Sequence, residues 1–304
     1  MNNFLSINDL NRKDIVEFIS LAKNLKKKRK QEKMLKGKSI VLLFDKPSLR
    51  TKISFEVAIN ELGGNFYYLG DGSVGFGKRE SLKDMAEVLS RYIHCSIVRT
   101  FKQKDLSSFA QFSSASVINA LTDTEHPCQI LSDLLTIYET VGSLDDFKIA
   151  FIGDGNNVCN SLLQAAAILK FKLSIATPLG YEPKIENYKV KLEDLNKDNL
   201  RVEIANSPQD AVKDADFIYT DAWTSMGWEE EHADRKKVFG SFQVNKDLLK
   251  NVGKSYHIMH CLPAHRGEEI TDDIIDSKNS IVFDQAENRL HMHKAILIKL
   301  LSKR

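Results

Sequence analysis

The chain has 304 residues, of which 42% are hydrophobic and 28% are charged, a composition typical of a globular protein with room for two domains. Its 43 Lys and Arg residues nearly balance 41 Asp and Glu residues, so the net charge of +2 gives no reason to expect a nucleic-acid partner. No apolar segment reaches the length of a membrane span and no secretory leader is visible, and the cysteines are scattered without disulfide or zinc spacing, so we expect a cytoplasmic protein without a membrane partner.

Strand-like and helix-like segments alternate along the whole chain. Short apolar runs rich in β-branched residues predict strands at residues 39–44, 65–69, 95–100, 116–121, 147–153, 172–177, 201–205, 217–221, 257–260 and 281–284. Helical spacing predicts helices that include residues 81–92, 105–112, 127–138, 158–169, 244–250 and 290–301. This alternation predicts an α/β protein with two doubly wound parallel-sheet domains and a substrate site in the cleft between them. We predict domains at residues 1–142 and 143–288, with residues 289–304 forming a helix that packs back on the first domain.

The segment Ser48-Leu49-Arg50-Thr51-Lys52 lies between the first predicted strand and a helix that ends near Gly63. Two hydroxyl groups and an arginine therefore meet at a helix N-terminus. The first-turn N–H groups of a helix have no partner within it, and its dipole favours negative charge. The segment predicts an anion site, although a capped helix start with a solvated arginine is the simpler alternative.

Polar and cationic residues also follow the other predicted strands. They are Arg99, His126, residues 153–157, Asp221, residues 260–267 and Arg289. Ligands of open parallel sheets bind beyond the carboxyl ends of the strands, so these residues are expected to share a crevice. Several arginines there indicate a ligand with concentrated negative charge, most simply a phosphate.

Two other kinds of site are not supported by the pattern. Gly153-Asp154-Gly155 lacks the third glycine of a dinucleotide fingerprint, and no acidic residue ends the next predicted strand. His260 and Cys261 are neighbours on an extended segment and are expected to face opposite sides, and His291 and His293 are badly spaced for one helical face. We therefore expect no cofactor and no metal.

The motifs together resemble the aspartate/ornithine carbamoyltransferase family. They are Ser48-Leu49-Arg50-Thr51-Lys52, His126-Pro127-Cys128-Gln129, Asp221 with Ser225-Met226-Gly227, and His260-Cys261-Leu262-Pro263-Ala264-His265-Arg266-Gly267. The first two resemble those of all carbamoyltransferases, whereas the last two are more specific to the ornithine branch. The resemblance covers the chain from the first strand to the last helix, in the right order.

The resemblance implies transfer of the carbamoyl group of carbamoyl phosphate to the δ-amine of L-ornithine, giving L-citrulline in arginine metabolism. It implies that carbamoyl phosphate is bound by Ser48, Leu49, Arg50, Thr51, Gly75, Arg99, His126, Pro127, Cys128, Gln129, Cys261, Leu262 and Arg289. It implies that ornithine is bound by Asn157, Asp221, Ser225 and Met226. Catalysis would rest on Arg50, Arg99, His126, Asp221 and Cys261, in a homotrimer or a multiple of trimers with sites at subunit interfaces.

Three positions depart from the family pattern. Leu49 replaces a common threonine and Lys52 a common arginine, and Gly75 lacks the side chain that often reaches the phosphate from a neighbouring subunit. Either Asn156 or Asn157 could contact ornithine. A carbamoyltransferase for putrescine, aspartate or another amine, and a catalytically silent binding protein of the same fold, stay open as alternatives.

Overall fold

The computed structural model describes residues 2–28, 31–70, 75–184, 202–224 and 229–302. The chain divides into two compact units. Unit 1 comprises Met1–Leu135 and Glu287–Arg304, and unit 2 comprises Thr136–Ala286. The domain limits predicted from the sequence stay a prediction.

Unit 1 is built on a four-stranded sheet in which every strand pair is parallel. Its elements are α1 (Arg12–Lys27), β1 (Ser39–Phe44), α2 (Leu49–Glu61), β2 (Asn65–Leu69), α3 (Leu82–Leu89), β3 (Cys95–Arg99), α4 (Gln103–Phe112), β4 (Ser116–Leu121) and the start of α5 (Pro127–Val141). The spatial order is β2-β1-β3-β4. The central strands β1 and β3 are almost continuously apolar because helices cover both faces of such a sheet.

Unit 2 is built on a five-stranded sheet, also parallel throughout, in the order β7-β6-β5-β8-β9. Its elements are β5 (Lys148–Ile152), α6 (Asn157–Leu169), β6 (Lys172–Ala176), β7 (Val202–Ala205), α7 (Pro208–Ala211), β8 (Phe217–Thr220), α8 (His232–Phe239), α9 (Lys246–Leu249), β9 (His257–His260) and α10 (Asp272–Ile275). Buried side chains of β5, β8, β9 and the later helices form its core. The two sheets confirm the predicted fold of two parallel α/β domains.

The last helix, α11 (Val282–Leu301), begins earlier than predicted, and the predicted strand at residues 281–284 is wrong. Ser280 forms a single parallel bridge to Ile258 of β9, and the N–H of Ile281 donates to the carbonyl of Ile258 at 3.0 Å. The chain then turns into a helix, in which the N–H of Gln285 donates to the carbonyl of Ile281 at 2.9 Å. A short β-branched run is equally compatible with a buried helix start, so its composition did not decide between them.

Because α11 starts at Val282, Asp284 and Arg289 lie on a helix and not beyond the end of a strand. From Glu287 onward the helix belongs to unit 1. None of the described helices is both long enough and apolar enough to cross a membrane.

Candidate active site

Each sheet has one place where the chain reverses the direction in which it adds strands. In unit 1 this switch point lies between β1 and β3, and in unit 2 it lies between β5 and β8. Parallel sheets bind ligands at such points, beyond the carboxyl ends of the strands. The segment at residues 48–52, Arg99, residues 153–157 and Asp221 lie at or after the ends of these four strands, whereas the motifs that begin at His126 and His260 follow the neighbouring strands β4 and β9.

In unit 1 the helix α2 begins directly after β1, as predicted. Ser48 has an extended backbone, with φ of −164° and ψ of 109°, and its Oγ accepts a hydrogen bond from the N–H of Thr51 at 3.3 Å. Ser48 is thus the N-cap of a helix whose N-terminus follows β1 at the switch point. We name residues 48–51 the anion cradle.

Cationic and polar side chains surround the anion cradle. Arg99 ends β3, Arg289 comes from α11, and both are almost fully buried. A guanidinium nitrogen of Arg289, Nη2, donates to the hydroxyl oxygen of Thr51. Burial, followed by the charges of Arg289 and Arg99, lowers the pKa of His126 well below its usual value. The ring of His126 is therefore neutral at pH 7 and lies within the electrostatic reach of both arginines.

The first turn of α5 holds the rest of the second motif. Pro127 starts the helix, where its missing N–H costs nothing. The thiol of Cys128 donates to the carbonyl of Asn119 at 3.3 Å, and burial raises its pKa to about 12. Gln129 Nε2 donates to Asp133 Oδ1 at 2.8 Å, whereas its buried Oε1 accepts no hydrogen bond from any residue that the structure describes. Cys128 is thus an inert packing residue, and Gln129 presents an acceptor oxygen.

Two polar residues after β1 were not selected by the sequence analysis. Lys46 is buried, pairs with Asp123, and lies 4.4 Å from the ring centroid of Phe101. Asp45 Oδ2 accepts a hydrogen bond from Thr100 Oγ1 at 2.9 Å, which ties the end of β1 to the end of β3. A lysine two residues after a strand at a switch point is a signal that could have found Lys46.

In unit 2 the carboxylate of Asp221 gathers side chains from the ends of three strands. Asn156 Nδ2 donates to Asp221 Oδ2 at 2.7 Å, and the thiol of Cys261 donates to Asp221 Oδ1 at 2.9 Å. Asn156 also caps α6, since its Oδ1 accepts from the N–H groups of Val158 and Cys159 at 3.0 and 3.2 Å. The side chain of Asn156 is therefore engaged at both ends.

The loop after β5 is held by Arg235, a residue that was not predicted from the sequence. Arg235 Nη1 donates to Asp154 Oδ2 and to the carbonyl of Trp223, each at 2.8 Å. Burial raises the pKa of Asp154 to about 6 against the opposing effect of Arg235. A Cβ on Gly155 would lie 2.3 Å from the backbone nitrogen of Pro183, so only glycine fits there.

Ser225 and Met226, both predicted ornithine contacts, lie outside the described residues.

His260 fixes the backbone on the far side of Cys261. Its Nδ1 accepts a hydrogen bond from the N–H of Leu262 at 2.9 Å, so Nε2 carries the proton and donates to Glu269 Oε1 at 3.1 Å. The same carboxylate oxygen accepts from the N–H of His265 at 2.6 Å. Both His260 and Glu269 are fully buried, and Leu262 is held at a φ of +57°. This network sets the conformation of the segment that carries Cys261 and Leu262.

The expectation that His260 and Cys261 face opposite sides is wrong. Candidate ligand atoms of Asp221, His260 and Cys261 lie within 4.8 Å of one another, because β9 ends at His260 and the strand alternation ends with it. Both ring nitrogens of His260 are nevertheless engaged in hydrogen bonds. We assign no metal to this group.

A second group with metal-ligand side chains lies nearby in unit 2. It consists of His265, Glu268 and Glu269. Glu268 Oε1 already faces Lys236 Nζ at 3.1 Å and His232 Nε2 at 3.4 Å. Glu269 is buried and accepts from His260, so we read this group as ion pairs and hydrogen bonds around a buried carboxylate and assign no metal to it.

The fold and the site together define a two-domain parallel α/β protein with a cationic helix N-terminus at one switch point and a carboxylate–thiol pair at the other. Two family models match the chain. The carbamoyl-phosphate-binding domain of the aspartate/ornithine carbamoyltransferases matches residues 2–139, and their Asp/Orn-binding domain matches residues 145–300. The chain belongs to the aspartate/ornithine carbamoyltransferase family, a family of enzymes, as the motifs predicted.

Individual relatives cover nearly the whole chain. An ornithine carbamoyltransferase of Archaeoglobus fulgidus is 48% identical over 306 residues, covering 100% of this chain and 98% of the relative, and one of Bacillus anthracis is 46% identical, covering 97% and 93%. The solved ornithine carbamoyltransferase of Pyrococcus furiosus superposes with a TM-score of 0.90 at 44% identity, covering 98% of this chain and 96% of that one. The anabolic enzyme of Campylobacter jejuni gives a TM-score of 0.93 at 36% identity, covering 100% of both chains.

Proposed function

We propose that the protein has ornithine carbamoyltransferase activity and forms L-citrulline and phosphate from carbamoyl phosphate and L-ornithine. The observation that carries the proposal is the anion cradle together with the two buried arginines beside it, Arg289 and Arg99, at one switch point. A doubly charged phosphate is suited to such a site, since helix N-termini and arginine forks both favour phosphate oxygens. The high identity to relatives with this activity supports the same reaction.

Carbamoyl phosphate binds to unit 1 in this proposal. Ser48, Leu49, Arg50 and Thr51 hold the phosphate, in part through main-chain N–H groups, and Arg99 and Arg289 neutralise its charge. The neutral ring of His126 donates a hydrogen bond to the carbonyl oxygen, where negative charge develops during the attack. Gln129 Oε1, an acceptor buried at the start of α5, is suited to the N–H groups of the carbamoyl amide.

Ornithine binds to unit 2, around Asp221. We propose Asn157 and not Asn156 as the asparagine contact, because the side chain of Asn156 already caps α6 and bonds to Asp221. Ser225 and Met226 complete the proposed contacts. Pro127, Cys128 and Leu262 shape the carbamoyl site by packing, and Gly75 stays a predicted contact from the family resemblance.

The reaction forms a bond between the δ-nitrogen and the carbonyl carbon while the bond from that carbon to the phosphate oxygen breaks. The δ-ammonium, with a pKa of about 10, first releases one proton to solvent, and the attacking nitrogen loses a second proton to the departing phosphate. The carboxylate of Asp221, hydrogen-bonded to the thiol of Cys261, is the group we place next to that amine. No electron is transferred, and orientation of the two substrates supplies much of the rate enhancement.

We further propose that the protein acts in the cytoplasm as a homotrimer or a multiple of trimers. Unit 1 exposes large apolar side chains on α2 and on the edge strand β2, namely Leu49, Ile53, Tyr67 and Leu69. An exposed apolar surface beside a sheet edge is typical of a subunit interface. All four cysteines are free and buried, as is common in a reducing compartment.

The test is a product assay with purified protein, carbamoyl phosphate and one acceptor at a time: L-ornithine, putrescine, N-acetylornithine or L-aspartate. We expect citrulline from ornithine and at most trace product from the other three. A higher kcat/KM with putrescine, N-acetylornithine or aspartate would replace the proposed substrate. Binding of carbamoyl phosphate without product from any acceptor would instead show a silent binding protein. Light scattering of the same sample measures the subunit number, and a monomer would contradict the proposed trimer.

A further inference from the structure

His293 is fully buried on α11, one helical turn after Arg289. Its ring stacks on Phe55 of α2, with the ring centroids 3.7 Å apart and the planes only 4° from parallel. A phenylalanine would provide that packing at a lower cost of burial. The polar atoms of the ring therefore need an explanation of their own.

One of those atoms contacts α2 close to the anion cradle. His293 Nδ1 lies 3.0 Å from Ser54 Oγ. The same hydroxyl lies 2.6 Å from the carbonyl oxygen of Arg50 and 3.2 Å from that of Thr51, and it donates its single proton to them. Ser54 must accept from His293, so Nδ1 carries the proton. Burial, followed by the charge of Arg289, lowers the pKa of His293 well below its usual value, which keeps the ring neutral in this tautomer.

The contact belongs to a series that joins α11 to α2 within unit 1. Arg289 donates to Thr51, His293 faces Ser54, and Lys294 pairs with Glu61. The first of these reaches a residue of the anion cradle directly. The second reaches the carbonyl groups of Arg50 and Thr51 through one hydroxyl, so it acts on the backbone of the same turn.

We propose that His293 is a positioning residue of the anion cradle: through Ser54 it holds the turn formed by Arg50 and Thr51 in the orientation that binds phosphate. The identity of the anion rests on the proposed function. The contact to Ser54 has no direct bearing on the amino-acid substrate, whose proposed contacts are all in unit 2.

The experiment is a double-mutant cycle read by phosphate binding. Calorimetry with inorganic phosphate is applied to the wild type, His293→Phe, Ser54→Ala and the double variant, and steady-state kinetics give KM for each substrate. His293→Phe keeps the stacking on Phe55 and removes the hydrogen-bond donor Nδ1. Ser54→Ala removes the acceptor Oγ of the same hydrogen bond. The matched control is His291→Phe on the same helix, whose Nε2 faces Glu287 at 3.2 Å and not α2.

We expect each single variant to weaken phosphate binding and to raise KM for carbamoyl phosphate by roughly 5- to 10-fold, the usual effect of one lost hydrogen bond. KM for ornithine should change less than about 2-fold. The double variant should bind phosphate as tightly as the single variant with the lower affinity, because both substitutions remove the same hydrogen bond. His293→Asn, whose amide nitrogen can occupy the position of Nδ1, should recover part of the affinity. Unchanged phosphate affinity in both single variants, or additive losses in the double variant, would overturn the proposal.

Two outcomes separate this inference from the proposed function. Wild-type protein that makes no citrulline, but shows the non-additive loss of phosphate binding, would refute the function and support the positioning role. If the wild type forms citrulline but neither substitution changes phosphate binding, the function is supported and the positioning role is refuted. If His293→Phe does not fold, as judged by its thermal transition, Ser54→Ala and His293→Asn provide the same comparison.

Discussion

Leu49 and Arg50 are neighbours in the first turn of α2, yet their side chains lie in different surroundings. Leu49 is 72% exposed, whereas Arg50 is half-buried. A leucine side chain offers no hydrogen bond, so position 49 can serve an anion only through its backbone N–H. The departure of this residue from the family pattern therefore leaves the anion cradle chemically intact.

We predict that Leu49→Thr changes KM for carbamoyl phosphate less than about 2-fold, because the backbone N–H is retained. Arg50→Ala, made beside it, should lower kcat/KM by roughly 100-fold or more, the scale found when one charge-stabilising donor is removed. Steady-state kinetics at saturating ornithine measure both. A large gain in carbamoyl phosphate affinity in Leu49→Thr, or near-normal kinetics in Arg50→Ala, would contradict the assignment.

Asp221 is the central residue of the proposed ornithine site in unit 2. Asn156 and Cys261 both donate hydrogen bonds to its carboxylate. Asp221→Asn keeps the size of the side chain and removes the charge that favours a nearby amine. We expect kcat to fall by roughly 100-fold while KM for carbamoyl phosphate stays within about 2-fold. An equal increase in KM for carbamoyl phosphate and for ornithine would indicate that Asp221 acts through folding. A thermal melt of the variant checks this directly.

At the scale of elements, the capping role of Ser48 and its proposed role in phosphate binding can be separated by a matched control. Its Oγ caps α2 by accepting from Thr51 N–H, and Ser81 caps α3 in the same way by accepting from Asp84 N–H at 3.0 Å. We predict that Ser48→Ala and Ser81→Ala each lower the free energy of unfolding by about 1 kcal/mol. Only Ser48→Ala should also raise KM for carbamoyl phosphate. Urea titrations and steady-state kinetics on both variants provide the comparison. If the two variants have the same KM for carbamoyl phosphate, the side chain of Ser48 does not contribute to phosphate binding.

Elements with a strong local signal were predicted well from the sequence. The strand of residues 39–44 has its predicted bounds, and Ser48 is the N-cap because a hydroxyl at a strand-to-helix junction can satisfy a first-turn N–H. Residues 281–284 were assigned wrongly because their apolar, β-branched composition suits both a strand and a buried helix start. Only Ser280 forms a bridge to β9 in the part of the chain that the structure describes there, and strand pairing depends on tertiary contacts that composition does not reveal.

Several side chains near the site could not be predicted for a related reason. Arg235 pairs with Asp154 across 81 residues, and His293 meets Ser54 across 239 residues. No local pattern links positions so far apart. Most residues found in advance lie close after strands, since a parallel sheet dictates where such residues meet. Arg289 was found although it lies on α11, so the reason first given for it was wrong.

At the scale of the whole molecule, the buried histidines make stability dependent on pH. His126 and His293 have folded-state pKa values well below 6.5, the usual value in an unfolded chain. Below about pH 6.5 the unfolded chain therefore binds more protons than the folded one, and the free energy of unfolding falls as the pH is lowered. Each such histidine contributes a slope of about 1.4 kcal/mol per pH unit in that range.

We predict that the free energy of unfolding, measured by urea titration from pH 5 to 8, falls below pH 6.5 less steeply in His293→Phe than in the wild type. Asp154, with a pKa of about 6, acts in the opposite sense between pH 4 and 6, but it contributes equally to both proteins and cancels in the difference. Identical slopes would mean that His293 is protonated in the folded protein.

The contact between Arg289 and Thr51 joins positions 238 residues apart, and it has a consequence for the nascent chain. The ribosome makes β1, α2 and the other strands of unit 1 long before it makes α11. Until residue 289 emerges, the first turn of α2 lacks one of its two buried arginines and the bracing contact of His293. The contacts that complete the anion cradle are therefore among the last features of unit 1 to form, and an incomplete polypeptide lacks part of the proposed phosphate site.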